Sequence, residues 1–229
     1  MRIVSYFFLV QMYISTYYSM NGFYINLAHR TDRKKHIELL QTNNPFIKNI
    51  QRFDAIYSKQ YGVGCCSSHI KCLEECLKLN EDSYLIMEDD FMILNQTHFN
   101  HFVDEFDKIK NDTDWDVITL TPRGITQKKQ YKPSFNKIIN TQTATGYIIK
   151  HAFIAKLLPI LREGLAGLVR GYTGPNPNPY FNDQCWKPIQ LTTNWLYFHE
   201  IFAGQLPCYS DIEHKHVDYN KGFLDQLHY

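Results

Sequence analysis

Residues Ser83 to Phe91 read SYLIMEDDF. The unbroken apolar run Tyr84 to Met87 predicts a strand buried on both faces, as in a sheet covered by helices on either side. Glu88, Asp89 and Asp90 then follow at its carboxyl end. Like charges this close repel and raise one another's pKa unless something positive lies among them. A divalent cation held by hard oxygen ligands meets that requirement. The plain alternative is an exposed strand-end turn, for which Asp and Glu are ordinary residues.

Working outward, Phe23 to Leu27 (FYINL) predicts another short buried strand, followed by a helix starting at Thr31 and ending before the Asn43-Asn44-Pro45 breaker. Ile50 to Ile56 reads as a strand, Ser67 to Leu79 as a helix with an Ile70, Leu73, Leu77 stripe, and Thr97 to Ile109 as a helix carrying Phe99, Phe102, Val103 and Phe106. Strands at Asp116 to Leu120 and Thr143 to Ile149 and a helix from Ala152 to Leu161 complete the regular part. The alternation predicts an α/β fold with a mostly parallel sheet flanked by helices. Ligands in such folds gather at the carboxyl ends of the strands, where the acidic triplet falls. From Arg162 the Gly-, Pro- and Asn-rich stretch EGLAGLVRGYTGPNPNPYFND reads as a long loop of the kind that forms binding lids.

The 229 residues fit a single domain over 21–229, with 163–229 less regular, preceded by an apolar segment over 1–20. That segment reads either as a secretory signal or anchor or as a packed element, and any membrane association is expected only through it. Charged residues are 21% of the chain and sum to +1, which excludes nucleic acid bound through a broad basic surface. Six cysteines, four of them crowded between Cys65 and Cys76, are not the even pattern of a small disulfide scaffold. His69, Cys72 and Cys76 at helical spacing invite a zinc reading, against which stands the habit of Cys as a small buried hydrophobe. Asn95-Gln-Thr97 and Asn111-Asp-Thr113 are glycosylation sequons, relevant in a secretory lumen.

Phosphate-loop, dinucleotide-fingerprint, kinase and hydrolase signatures are missing from the sequence. The segments FYINLAHRTDRKK, QRFDAI, GVGCCSSHIKCLEECLK, YLIMEDDF, DWDVITL and TATGYIIKHAFIAKLLP, in this order and spacing, closely resemble glycosyltransferase family 25, strongly from Phe23 to Pro159. Beyond that, Asp183 and the Pro207 to Ile212 stretch resemble the family's ending. The resemblance implies a GT-A-like nucleotide-sugar-binding fold and transfer of galactose or glucose from a UDP-sugar to a hydroxyl of a glycan, lipopolysaccharide or protein acceptor, with inversion. It also implies Mn²⁺ or Mg²⁺ bridging the diphosphate as Lewis acid and template. On that reading Glu88 and Asp90 are metal ligands, with His214 or His216 as a further ligand weighed against a solvated surface pair. Asn26 and Arg30 fall where the base and ribose are expected. Asp54 is a candidate for uracil or ribose, Asp89 part of the donor site, and Ser68 and His69 open a helix whose amides favour an anion. Arg33 reads as surface charge. Asp183 is the candidate base and Asp90 the second catalytic carboxylate. The competing readings are a catalytically degenerate member that binds a sugar nucleotide or a protein partner, and a secreted domain stapled by its cysteines.

Overall fold

A computed structural model describes residues 18–124 and 129–220. In chain order it contains β1 (Gly22–Asn26), α1 (Thr31–Asn43), β2 (Gln51–Asp54), α2 (Val63–Cys76), β3 (Ser83–Glu88), β4 (Phe91–Ile93) and α3 (Gln96–Ile109). There follow β5 (Val117–Thr119), β6 (Lys129–Lys132), β7 (Phe135–Lys137), β8 (Gly146–Lys150), α4 (His151–Arg170), α5 (Asn182–Cys185), α6 (Lys187–Gln190), β9 (Trp195–Phe198), β10 (Ala203–Gln205), β11 (Cys208–Ser210) and β12 (Lys215–Val217).

Among the described residues eight strands form the main sheet in the order β2-β1-β3-β8-β5-β9-β7-β6. Their pairings give six strands one direction, with β7 and β8 opposed. The mostly parallel α/β sheet expected from the sequence is therefore present, with an antiparallel strand at its centre.

Side chains alternate along each strand, so one sheet splits the apolar residues between two cores. Tyr84, Ile86, Tyr147, Ile149, Trp195 and Tyr197 pack on the side of α2 and α4. Leu85, Met87, Ile118, Ile148, Leu196 and Phe198 pack on the opposite side. There α1 contributes Ile37, and α3 a stripe of Phe99, Phe102 and Phe106. Helix α3 starts where the Asn95 side chain accepts from the His98 amide at 3.1 Å. Phe102 is surrounded by the rings of Phe46, Phe106, Phe135, Phe198 and Phe202. Burying each such ring contributes roughly 1.5–3 kcal/mol.

Two departures from the sequence reading concern the C-terminal part. The segment expected to dissolve at Arg162 instead continues α4 to Arg170. Its glycines suggest a loop, but Gly167 is a packing residue: a Cβ there would lie 2.2 Å from the Tyr180 ring. The second departure is β9, which enters the middle of the sheet between β5 and β7 with all four residues buried. Like Tyr84 to Met87 it is an unbroken four-residue apolar run, but it lies in a part of the chain whose irregular composition hides it. No helix among the described residues is long and apolar enough to cross a membrane. The apolar segment of 1–20 lies outside the described residues except for its end, where Met20 is buried in the α3 core and its amide donates to the Phe46 carbonyl at 2.8 Å.

Candidate active site

Because β1, β2 and β3 are parallel neighbours, their carboxyl ends lie side by side, with Asn26 opposite Asp54 and Ile25 opposite Glu88. Antiparallel β8 brings its amino end to the same edge, where the Glu88 amide donates to the Thr145 carbonyl at 2.8 Å. This crossing delivers Thr143 and Thr145 to the acidic triplet. On the other side β10 pairs with β4, and the Leu206 amide donates to the Asp90 carbonyl at 2.7 Å.

The three carboxylates diverge. Glu88 faces α2 and β8: its Oε1 lies 3.1 Å from His69 Nε2 and 3.4 Å from Cys65 Sγ, and Oε2 accepts from Thr145 Oγ1 at 3.2 Å. Burial pushes the Glu88 carboxyl up, but the hydrogen bonds from His69, Cys65 and Thr145 outweigh it and hold the group below its ordinary value. The same burial, helped by the Glu88 charge, drives the Cys65 thiol well upward. Asp89 faces β1 and α1, accepting from Asn26 Nδ2 at 2.7 Å and from Arg33 at 2.8 Å. Asp90 lies 3.4 Å from the same guanidinium, and its Oδ1 is buried without a hydrogen-bond partner. Burial, only partly offset by Arg33 and reinforced by Glu88 and Asp89, raises the Asp90 carboxyl to about 7.

Arg33 corrects the reading of it as surface charge. Its side chain is 11% exposed, it bridges Asp89 and Asp90, and it reaches the Tyr209 carbonyl at 3.1 Å and Cys208 Sγ at 2.9 Å. The positive charge demanded by the triplet is thus supplied in part from within the chain. Arg33 sits in the first turn of α1, and the pairing of β1 with β3 brings that turn beside the triplet.

The other expected site residues divide by how fully they are occupied. Asn26 is buried, with its amide shared between Asp89 and the Arg30 carbonyl and its oxygen accepting from Arg52 at 2.8 Å. Arg30 is spent on Asp32, Asp211 and the Tyr209 carbonyl, which anchors the β11–β12 hairpin over the end of β1. Ser68 accepts from the Ile56 amide at 2.8 Å and donates to the Gly64 carbonyl at 2.7 Å, tying the loop after β2 to α2. Asp54 is exposed and paired with Arg52. His69 is buried, with Nδ1 3.1 Å from the Tyr147 hydroxyl. His214 and His216 are exposed, His214 in the hairpin turn with φ of 53°.

Asp183, at the start of α5, is held by the Thr143 amide at 3.1 Å and by Gln184 at 3.2 Å. Thr143 adopts φ of 89°, a left-handed conformation rare for a β-branched residue, in the turn that aims its amide at Asp183. Burial raises the Asp183 carboxyl, and the nearby Glu88 charge raises it further. The late acidic residue singled out in the sequence therefore reaches the electrostatic neighbourhood of the triplet.

Cysteines do not crosslink the chain: all six are free. Cys72 and Cys76 are fully buried in the α2–α4 core. Among the described residues the side chains whose ligand atoms converge are Cys65, His69 and Glu88, all within 4.8 Å of one another.

No curated protein sequence is significantly similar to the chain. Solved structures it resembles include a glycosyltransferase involved in the glycosylation of the major capsid of PBCV-1, at 9% identity and TM-score 0.48, covering 79% of this chain and 81% of that one. Another is mannose-1-phosphate geranyltransferase from Thermus thermophilus, at 9% identity and TM-score 0.44, covering 80% of this chain and 60% of that one. A third is UDP-glucose pyrophosphorylase from Acinetobacter baumanii, at 8% identity and TM-score 0.41, covering 86% and 66%. The chain thus spans three fifths of the Thermus protein's length and two thirds of the Acinetobacter one's. Residues 60–165 match the model of glycosyltransferase family 25 (LPS biosynthesis protein), a span that runs from the start of α2 through the acidic end of β3 to α4. Over that span, a little under half of the chain, the sequence is similar to glycosyltransferase family 25, which supports the resemblance read from its motifs.

Proposed function

We propose that the protein transfers a hexose, galactose or glucose, from a UDP-sugar to an acceptor hydroxyl on a glycan, lipopolysaccharide or protein, with inversion at the sugar. The observation that carries the reading is Asp90 Oδ1, a buried carboxylate oxygen with no partner, at the carboxyl end of β3 within the family-matched span. A hard divalent cation, Mn²⁺ or Mg²⁺, fits an orphaned oxygen of this kind. Asp90 would hold it. Bound there, the cation would neutralise charge on the departing diphosphate. Arg33 lowers the repulsion between Asp89 and Asp90 and keeps both aimed at the sheet edge. Asn26 fixes Asp89 from below. Asp183 is the base of this reading: a carboxyl whose proton affinity is raised by burial is a better base toward an acceptor hydroxyl than an exposed one. Residues 163–229, which include the long loop and the hairpin, would build the acceptor side.

The test is UDP release by purified protein with Mn²⁺ across a panel of UDP-sugars. Asp90→Ala should abolish release while the circular dichroism spectrum is retained. Asp183→Asn should lower turnover with little change in donor affinity. One observation favours a second reading, a sugar-nucleotide binder without catalysis: Arg33 already places a positive charge between two of the three carboxylates. Calorimetric binding of UDP without turnover on any acceptor would establish that reading and end the first.

A further inference from the structure

Glu88 shares no hydrogen-bond partner with Asp89 and Asp90; its own contacts form a cluster of different chemistry. Cys65 and His69 stand four residues apart on α2 and project from one face of the helix toward the end of β3. Their side-chain atoms close on Glu88 Oε1 at 3.4 Å from Sγ and 3.1 Å from Nε2. Around a tetrahedral Zn²⁺ with bonds of about 2.0–2.3 Å, ligand atoms lie roughly 3.3–3.7 Å apart; the two edges to Glu88 match that spacing to within a few tenths of an ångström, and the Cys65–His69 edge lies within 4.8 Å.

The contacts that would orient these ligands are also in place. His69 Nδ1 lies 3.1 Å from the Tyr147 hydroxyl, and a phenol can donate or accept. It can therefore satisfy the Nδ1–H tautomer that leaves Nε2 free to coordinate. On the carboxylate side, Thr145 Oγ1 holds Oε2 at 3.2 Å and orients Oε1 toward α2. Cys65 and Glu88 are both partly exposed, which leaves one side open for a fourth ligand.

We propose that Cys65, His69 and Glu88 form a binding site for a borderline-soft divalent cation of the Zn²⁺ class, separate from the hard-oxygen position at Asp90. Thiolate and imidazole select Zn²⁺ or Co²⁺ over Mg²⁺ and Mn²⁺. Binding releases the Cys65 thiol proton, and the cation's charge replaces the hydrogen bonds that the free side chains make to Glu88. Three protein ligands with an open fourth position are the arrangement of zinc sites that hold a water or a substrate atom rather than of closed structural ones.

Co²⁺ provides the probe. The full chain, stripped with chelator and kept reduced, should bind one equivalent of Co²⁺ with a thiolate-to-metal charge-transfer band that Zn²⁺ abolishes on displacement. Cys65→Ser should lose the band and weaken Co²⁺ binding by at least about ten-fold. Asp90→Asn should keep it. A folded wild-type protein that gives no thiolate band overturns the proposal, as does a band that survives in Cys65→Ser. X-ray absorption at the Zn edge of the wild type needs no variant: one sulfur with nitrogen and oxygen neighbours supports the site, and two or more sulfurs refute it. The measurement is independent of sugar transfer, so a thiolate band in a protein that releases no UDP would remove the catalytic reading and leave this one standing.

Discussion

Asp90→Asn should make the metal-free protein more stable above pH 7. In the fold the Asp90 carboxyl is raised from its ordinary 3.8 to about 7 by burial and by the Glu88 and Asp89 charges, with Arg33 pulling it partly back. Between those two values the folded state keeps a proton that the unfolded chain has lost, so stability falls as pH rises through the interval. A displacement of roughly three units amounts to about 4 kcal/mol of cost for the ionised group at pH 8. Asn carries no charge to desolvate, and Arg33 retains Asp89 at 2.8 Å and the Tyr209 carbonyl. For a chain of this length such a difference corresponds to roughly 10 °C in Tm. Thermal unfolding in chelator from pH 4 to pH 8 reads it directly: the wild type should decline relative to the variant as pH rises, with the two converging near pH 4. Added Mn²⁺ should then raise the wild-type Tm and leave the variant unmoved. Parallel curves across the whole range, or a variant less stable than wild type at pH 8, would refute the account of Asp90 as a buried, under-compensated carboxylate.

Arg33→Ala removes the cation shared by two buried carboxylates and should cost about 3–5 kcal/mol at pH 8 by urea unfolding, less at pH 5, where Asp90 is protonated. Gly22→Ala places a Cβ 1.9 Å from the Leu85 carbonyl oxygen at a φ of +151°, so β1 must separate from β3; a loss of at least about 2 kcal/mol is expected from the same measurement.

The central elements were legible because their signals are local. The run Tyr84 to Met87 announces a doubly covered strand, and the Phe99, Phe102, Phe106 spacing announces a helix with one buried face; both are present. The acidic triplet's place at a strand end followed from the same run. Arg33 was misjudged because its charge state and length say nothing about the partner, which is 56 residues away in sequence. Strand β9 and the last turns of α4 were missed for the related reason that their burial depends on what packs against them.

The sequence by itself determined that three carboxylates crowd the end of an inner strand, since the order of residues along one segment is enough for that. Only the tertiary structure decided that they part company, Glu88 to Cys65 and His69, Asp89 and Asp90 to Arg33. The physical reason is that electrostatic partners are chosen by distance in space: the parallel pairing of β1 with β3 sets Arg33 beside Asp89 and Asp90, and antiparallel β8 closes the other side with Thr145 and Tyr147.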